Sequence, residues 1–368
     1  MTVHFAYAVP PLRYRSTGIW AKPRRLAEKA GMRLGVEPSY RRGLSEVHVR
    51  PLRAPFSITC HLSRFLSQRI PTLVYDWGER VCPPVEPDDI VLGHPHSDPA
   101  TVIQRVFRSE VKCRAKALIF PIHHGIPSIS TFVVPLVERA AVVFGIMGQF
   151  WHETIGNSHY AVGKEKIVRV DMAVDAEEYP LVKTSFNPPG QRGYLYIGAN
   201  RPEKGIEVMS RTMSRMQGFP RGWIGRGEEI PGMQRLAEHV DLTPEFVRGL
   251  AQRYDFFVNT SVSDANPTTI LEAMAWGFPV ACTPESGYHK MPTIMTLSTS
   301  DIEGNVRALL ELQHAPEERL REIGAANRRL VEEHYTWERF CSTVWAGLEP
   351  YLEASAAGHE SGCPQHGC

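Results

Sequence analysis

Asp264-Ala-Asn-Pro-Thr-Thr-Ile-Leu-Glu-Ala-Met-Ala-Trp-Gly277 is the stretch around which this 368-residue chain can be read. It follows an apolar run, Phe256-Phe257-Val258, that has the pattern of a buried strand. Asn266 suits a helix N-cap, Pro267 the first helical position and Gly277 the exit. Phe278-Pro279-Val280-Ala281-Cys282 then opens the next apolar run. Strand, turn, helix and strand make a βαβ unit. Its turn leaves the backbone N–H groups of Thr268 and Thr269 without intrahelical acceptors, and together with the helix dipole they favour an anion. Asp264 stands just before the helix. Glu272 lies on its second turn, four residues from Thr268 and therefore on the same face.

Asp264, Pro267, the Glu272-Ala273-Met274-Ala275 block and Gly277 together resemble the Glu-x7-Glu signature of retaining nucleotide-sugar glycosyltransferases of the GT-B fold, most closely family 4. Asp264 takes the place of the first Glu and Ala265 that of the usual Gly. The resemblance implies that the helix N-terminus receives the donor diphosphate, that Glu272 holds the ribose and that Asp264 touches the donor sugar.

Upstream, Tyr194-Leu-Tyr-Ile197 reads as a strand, followed by Gly198-Ala-Asn-Arg201-Pro-Glu-Lys204-Gly205 and a helix from about Ile206. Two cations three residues apart in such a turn suit a diphosphate clamp, Arg as a fork and Lys as a point charge. The turn resembles the family's Gly-Arg-x4-Lys-Gly, with Lys204 in register, Ala199 in the Arg slot and Arg201 two residues later. Trp223-Ile-Gly-Arg-Gly227 matches a strand ending in Gly-x-Gly but lacks the third glycine of a dinucleotide fingerprint. The segment His239 to Glu245, which surrounds the base in the family, is short here.

In the N-terminal half, Val3 to Val9 reads as a first strand, with a loop through Arg13, Arg15, Thr17 and Gly18 and a helix over Pro23 to Ala30. Further apolar runs at Thr72–Tyr75, Ile90–Leu92, Ala117–Phe120 and Ala141–Phe144 suit a parallel sheet with crossovers. Three of them end near Asp76, His94-x-His96 and His123-His124-Gly125, where open α/β sheets bind ligands. His94-x-His96 lacks a third metal ligand in the sequence. His124-Gly125 resembles the family's His-Gly loop, whose His approaches the donor sugar. Lys164 to Asp175, closing on Glu178-Tyr179-Pro180, resembles the end of the family's first domain, and the Pro/Gly-rich Ser185 to Gly193 reads as a linker.

Composition is that of an ordinary globular chain, 43% hydrophobic and 22% charged, with a net charge of +1. Residues 1–80 hold 14 Lys/Arg against 5 Asp/Glu, so this region is expected to meet something anionic, such as a membrane surface or an acidic acceptor. Seven dispersed cysteines fit reduced thiols rather than a disulfide framework. No signal peptide or membrane-spanning stretch is expected, and the localisation expected is cytoplasmic, with peripheral membrane contact through residues 1–80. Cys363, His366 and Cys368 fall in a Gly/Ser-rich terminus that reads as a flexible tail.

The resemblance implies an α/β GT-B fold, with two Rossmann-like domains facing a cleft and a C-terminal helix crossing back to the first. The expected divisions are 1–184 on the acceptor side, a linker at 185–193, a nucleotide-sugar domain at 194–335, the crossing helix at 336–353 and the tail at 354–368. The implied reaction moves a sugar from a nucleotide diphosphate sugar to a hydroxyl on a glycan, a lipid or a small molecule, with retention. The donor is a co-substrate, no cofactor or metal is called for, and no nucleic acid is involved. Arg201, Lys204, Asn266, Thr268, Thr269 and Glu272 form the donor set, and Asp264, His124 and Lys204 the catalytic set. The alternatives are a catalytically degenerate paralogue serving as a partner subunit and a nucleotide-sugar 2-epimerase on the same fold.

Overall fold

The structure, a computed structural model, describes residues 1–9, 54–80, 84–109, 111–125 and 130–353. The loop through Arg13 and Gly18, the helix expected over Pro23 to Ala30, and the tail with Cys363, His366 and Cys368 lie outside the described residues. Two six-stranded sheets organise the chain. The first contains β1 (Val3–Tyr7), β2 (Thr72–Asp76), β3 (Ile90–Gly93), β4 (Ala115–Pro121), β5 (Val142–Ile146) and β6 (Ile167–Val170), in the order β2-β1-β3-β4-β5-β6. All its pairings are parallel, with Phe5 opposite Val74 on one side and Leu92 on the other. Its central strands β1, β3 and β5 are buried at every residue. A parallel sheet covered on both faces demands such continuous apolar runs, and that is why they were readable from sequence.

The second sheet contains β7 (Tyr194–Ile197), β8 (Arg221–Ile224), β9 (Gln234–Ala237), β10 (Phe256–Asn259), β11 (Val280–Cys282) and β12 (Ile294–Thr296). Its order is β12-β11-β10-β7-β8-β9, again parallel throughout. This is the doubly wound order, and it reverses between β7 and β10. Helices cover the sheets: α1 (Phe56–Ser67), α2 (Val102–Arg108), α3 (Ser130–Arg139) and α4 (Gln149–Thr154) in the first half, then α5 (Ile206–Met213), α6 (Pro244–Arg253) and α7 (Thr268–Ala275). The chain continues through α8 (Ile302–His314), α9 (Glu317–His334) and α10 (Trp337–Glu353).

Helix α10 crosses back to the first domain. The Tyr351 hydroxyl donates to the Ala141 carbonyl at 3.1 Å, and the Trp337 ring lies flat on His61 with centroids 4.3 Å apart. Thr336 caps this helix, its Oγ1 accepting from Arg339 N at 3.2 Å.

Helix α7 departs from expectation at its start. It begins at Thr268 with Pro267 as cap residue and no side-chain cap bond. Asn266 does not cap it: its Oδ1 accepts from the backbone of Met172, 2.5 Å away in the first domain. A cap side chain gains one bond to its own helix, but here the neighbouring domain presents a buried N–H that needs an acceptor. The exit is as expected. Gly277 has φ +89°, and Arg328 Nη1 takes the Ala275 carbonyl at 2.9 Å.

The connection at 185–193 is held down at several points. Buried Asp255 accepts from Asn187 N and Gly193 N, each at 2.9 Å. Buried Arg192 donates to the carbonyls of Leu312, Gln313 and Ala315 at the end of α8.

Candidate functional site

A cavity of about 650 Å³ lies between the domains, lined from both sheets by residues at or just beyond the carboxyl ends of their strands. On the C-terminal side it is built at the β7–β10 reversal. The loop leaving β7 folds against the exit of β10 because Glu203 O accepts from Val262 N at 3.0 Å and Ser263 N at 3.1 Å. Gly205 makes this approach possible: it has φ +63°, and a Cβ there would fall 1.8 Å from Thr260 O.

This folding brings Ala199, Arg201, Lys204, Asp264, Asn266, Thr268 and Thr269 to one cavity wall. The Lys204 ammonium pairs with the Asp264 carboxylate, their side chains 24% and 16% exposed. The other contact of that carboxylate is long, with Ser261 Oγ 3.5 Å away. Arg201 reaches into solvent, its guanidinium 3.9 Å from Glu203. Thr268 and Thr269 stand half-buried at the first turn of α7. Glu272, one turn on, is buried and does not line the cavity.

The histidine pair divides. His123 Nδ1 is 2.8 Å from Ser263 Oγ across the seam. Burial pushes its pKa down, the Asp264 charge pulls it up and the Lys204 charge pushes it down again. His124 turns the other way, with Nε2 3.0 Å from Thr154 Oγ1 and its ring edge-on to Trp151. Thr154 spends its hydroxyl hydrogen on Phe150 O at 2.8 Å, so His124 Nε2 donates to it. Burial, then the charges of His159 and His123, lower the His124 pKa.

Several residues that position the site carry no local motif. Trp151 Nε1 donates to Asp264 O at 2.7 Å, and Gly148 N donates to Ala265 O at 2.9 Å. Gly148 sits so close to Gly287 that a Cβ would lie 1.9 Å from its carbonyl oxygen. With Asn266 bonded to Met172, the first domain grips the loop 263–266 along its length. The opposite cavity wall comes from Tyr7, Pro55, Ile58, Trp77, His94 and Ile146. Gly148, the residue just before α4, belongs to no motif read from the sequence, so its close approach was not visible there. His94 and His96 do not converge: Nδ1 of the first is 2.5 Å from Pro95 O, and Nδ1 of the second accepts from Asp98 N at 3.0 Å. Among the described residues, no group of three or more His, Cys, Asp or Glu is placed to hold a metal ion. Nor is any described helix long and apolar enough to cross a membrane.

Residues 191–314 match the glycosyl transferases group 1 family. Sucrose-phosphate synthase from Thermosynechococcus elongatus superposes with a TM-score of 0.61 at 12% identity, over 97% of this chain and 100% of that one. This is the GT-B fold. A UDP-forming α,α-trehalose-phosphate synthase from Burkholderia xenovorans shares the GT-B architecture, with a TM-score of 0.59 at 11% identity over 94% of this chain and 98% of that one. In sequence, digalactosyldiacylglycerol synthase 1 of Arabidopsis thaliana is 28% identical over 123 residues, 30% of this chain and 15% of that protein. A putative teichuronic acid biosynthesis glycosyltransferase of Bacillus subtilis is 31% identical over 103 residues, 27% of this chain and 26% of its own length. The matches to these curated relatives thus span about a quarter of their length or less.

Proposed function

We propose that the protein transfers a glycosyl group from a nucleotide diphosphate sugar to a hydroxyl acceptor with retention of configuration. The observation that carries this is the convergence of Lys204, Arg201 and the first turn of α7 on one cavity at the β7–β10 reversal. In this reading the cations and the N–H groups of Thr268 and Thr269 hold the diphosphate and stabilise the charge that grows on it as it leaves. The basic clamp takes the role a metal plays elsewhere. Asn266 shapes the wall through Met172, and Glu272, buried behind the cavity on the same helix face as Thr268, takes the ribose once the donor uncovers it.

The new bond joins the acceptor oxygen to the anomeric carbon on the face where the bond to phosphate breaks. The electron pair leaves on the diphosphate, and the diphosphate takes the acceptor's proton. Asp264 orients the sugar, with His123 and Ser263 beside it and His124 behind them. The basic balance of residues 1–80 supports a peripheral contact with an anionic membrane, to be checked by flotation with anionic and neutral liposomes at low salt.

Calorimetry with UDP, GDP, ADP and CDP on the full chain tests the donor assignment. At least one should bind, and Lys204→Ala should weaken that binding. If none binds, the reading fails.

A further inference from the structure

A second cavity, of about 540 Å³, opens at the opposite end of the first sheet. Strand β4 runs between the two. Pro121 at its carboxyl end lines the interdomain cavity, and Ala115 at its amino end lines this one, about 20 Å away along an extended strand. Four cations line the second cavity: Arg108 at the end of α2, Arg114 just before β4, Lys116 within β4 and Arg139 at the end of α3.

Backbone carbonyls at the end of α2 hold two of them in place. Lys116 Nζ donates to Val106 O at 2.8 Å and to Ser109 O at 3.2 Å, and Arg139 Nη1 donates to Phe107 O at 3.1 Å. A helix C-terminus favours cations, but a carbonyl carries no net charge, so these bonds orient both side chains without neutralising them. The described contacts take two of the three N–H donors of Lys116 and one of the five of Arg139, and both keep donors for a ligand. Arg114 Nη2 donates to Asp88 Oδ1 at 2.7 Å, on a carboxylate that is 70% exposed. The Arg114 Nε is buried and has no partner among the described residues. Glu110, which follows α2, lies outside the described residues.

We propose that this cavity is a second anion site, separate from the donor's, and that it takes a phosphate-bearing group with two or more negative charges. Four like charges gathered round one space repel one another, and a multivalent anion among them turns that repulsion into attraction. Guanidinium forks meet phosphate oxygens two at a time, with Lys116 as a point charge between them. A phosphate group brings three acceptor oxygens and close to two charges, which suits several cations better than a single carboxylate does. The volume is in the range of small-molecule sites, so an organic phosphate or a diphosphate fits where a lone ion would rattle. The same group arrives either on a soluble phosphate or on a lipid headgroup. Neither the sugar donor nor Lys204 takes part.

Cys113 lines the same cavity and reports on it alone. It is half-buried, whereas Cys60, Cys282 and Cys341 are buried. Burial raises its pKa, with the Lys116 charge opposing and the Asp89 charge adding. On the full chain, labelling of Cys113 by iodoacetamide, a neutral reagent, is followed by peptide mass spectrometry with and without inorganic pyrophosphate at matched ionic strength. Pyrophosphate should slow the labelling several-fold. Arg114→Gln should raise the concentration for half-protection about 10-fold, as for one hydrogen bond to a charged group, and adding Arg108→Gln should abolish protection. Thermal melts check that the variants stay folded. Lys204→Ala should leave protection unchanged, so failure of the donor reading, in which nucleoside diphosphates do not bind, would not touch this result. Vesicles of phosphatidic acid in phosphatidylcholine, used in place of pyrophosphate, separate the sources: protection by vesicles assigns a headgroup, and protection by pyrophosphate alone a soluble phosphate. No protection by either, protection that survives the double variant, or protection lost in Lys204→Ala would overturn the assignment.

Discussion

Two Lys–Asp pairs in this molecule have the same chemistry and opposite settings. Lys183 and Asp255 lie 2.7 Å apart, with side chains 1% and 0% exposed. Asp255 also accepts from Asn187 N, Asn187 Nδ2 and Gly193 N, and Lys183 also donates to Ala251 O. Burial pushes the Lys183 pKa down, and the Asp255 bond and charge oppose it. Lys204 and Asp264 lie at the cavity, partly exposed, with few further bonds. A buried pair survives desolvation only when its remaining donors and acceptors are satisfied, as they are at Asp255. A cavity pair with spare capacity is replaceable by a ligand. The first fastens the connection between the domains, and in the proposed function the second exchanges Lys204 from a carboxylate to a phosphate.

The largest expected effect breaks the fastener. Asp255→Ala leaves Lys183 buried without its counter-charge, and the expected loss is about 3–5 kcal/mol in urea denaturation. A loss under about 1 kcal/mol would erase the distinction between the pairs. Lys204→Ala should do the converse. Stability should change by about 1 kcal/mol or less, as for a pair open to solvent. Turnover should fall about 10²–10³-fold, as when an oxyanion donor is lost. Near-normal kcat would remove Lys204 from the chemistry.

Glu272→Gln sharpens the comparison from within the donor set. Ribose hydroxyls change little in charge during reaction, so the donor KM should rise about 10-fold while kcat moves little. Steady-state kinetics decide between this and a transition-state role. The smallest effect is the most pointed. Asp264→Asn removes the carboxylate that competes for Lys204, so calorimetry should show nucleoside diphosphates binding a few-fold tighter. Weaker binding would mean that the pair is part of the diphosphate site rather than its competitor.

Sequence alone carried most of the strands and the turn from β7 to α5. Tyr194–Ile197 coincides with β7, and Phe256–Val258 falls within β10, because a buried parallel strand must be apolar along its whole length. Strand β9 carries no such signal: it is an edge strand, Gln-Arg-Leu-Ala, with no fully buried residue. The place of Lys204, Thr268 and Thr269 at two strand-to-helix turns was legible because such turns are set by residues only a few positions apart. Local pattern also determined the crossing helix, from the cap at Thr336 to the apolar face beyond it.

Tertiary structure alone decided where those local devices point. Asn266 has the sequence of a cap and instead bonds Met172, 94 residues away, because the first domain offers it a buried N–H. Which of His123 and His124 faces Asp264 was settled by Ser263 and Thr154, on opposite sides of the seam. The Tyr7–Trp77–His94 wall is assembled from three strand ends that only the order β2-β1-β3 makes neighbours. A helix cap or a buried strand is determined by a dozen adjacent residues, which is what a sequence displays. A cavity wall depends on which strand ends the topology sets side by side, and that is determined by the packing of the whole sheet.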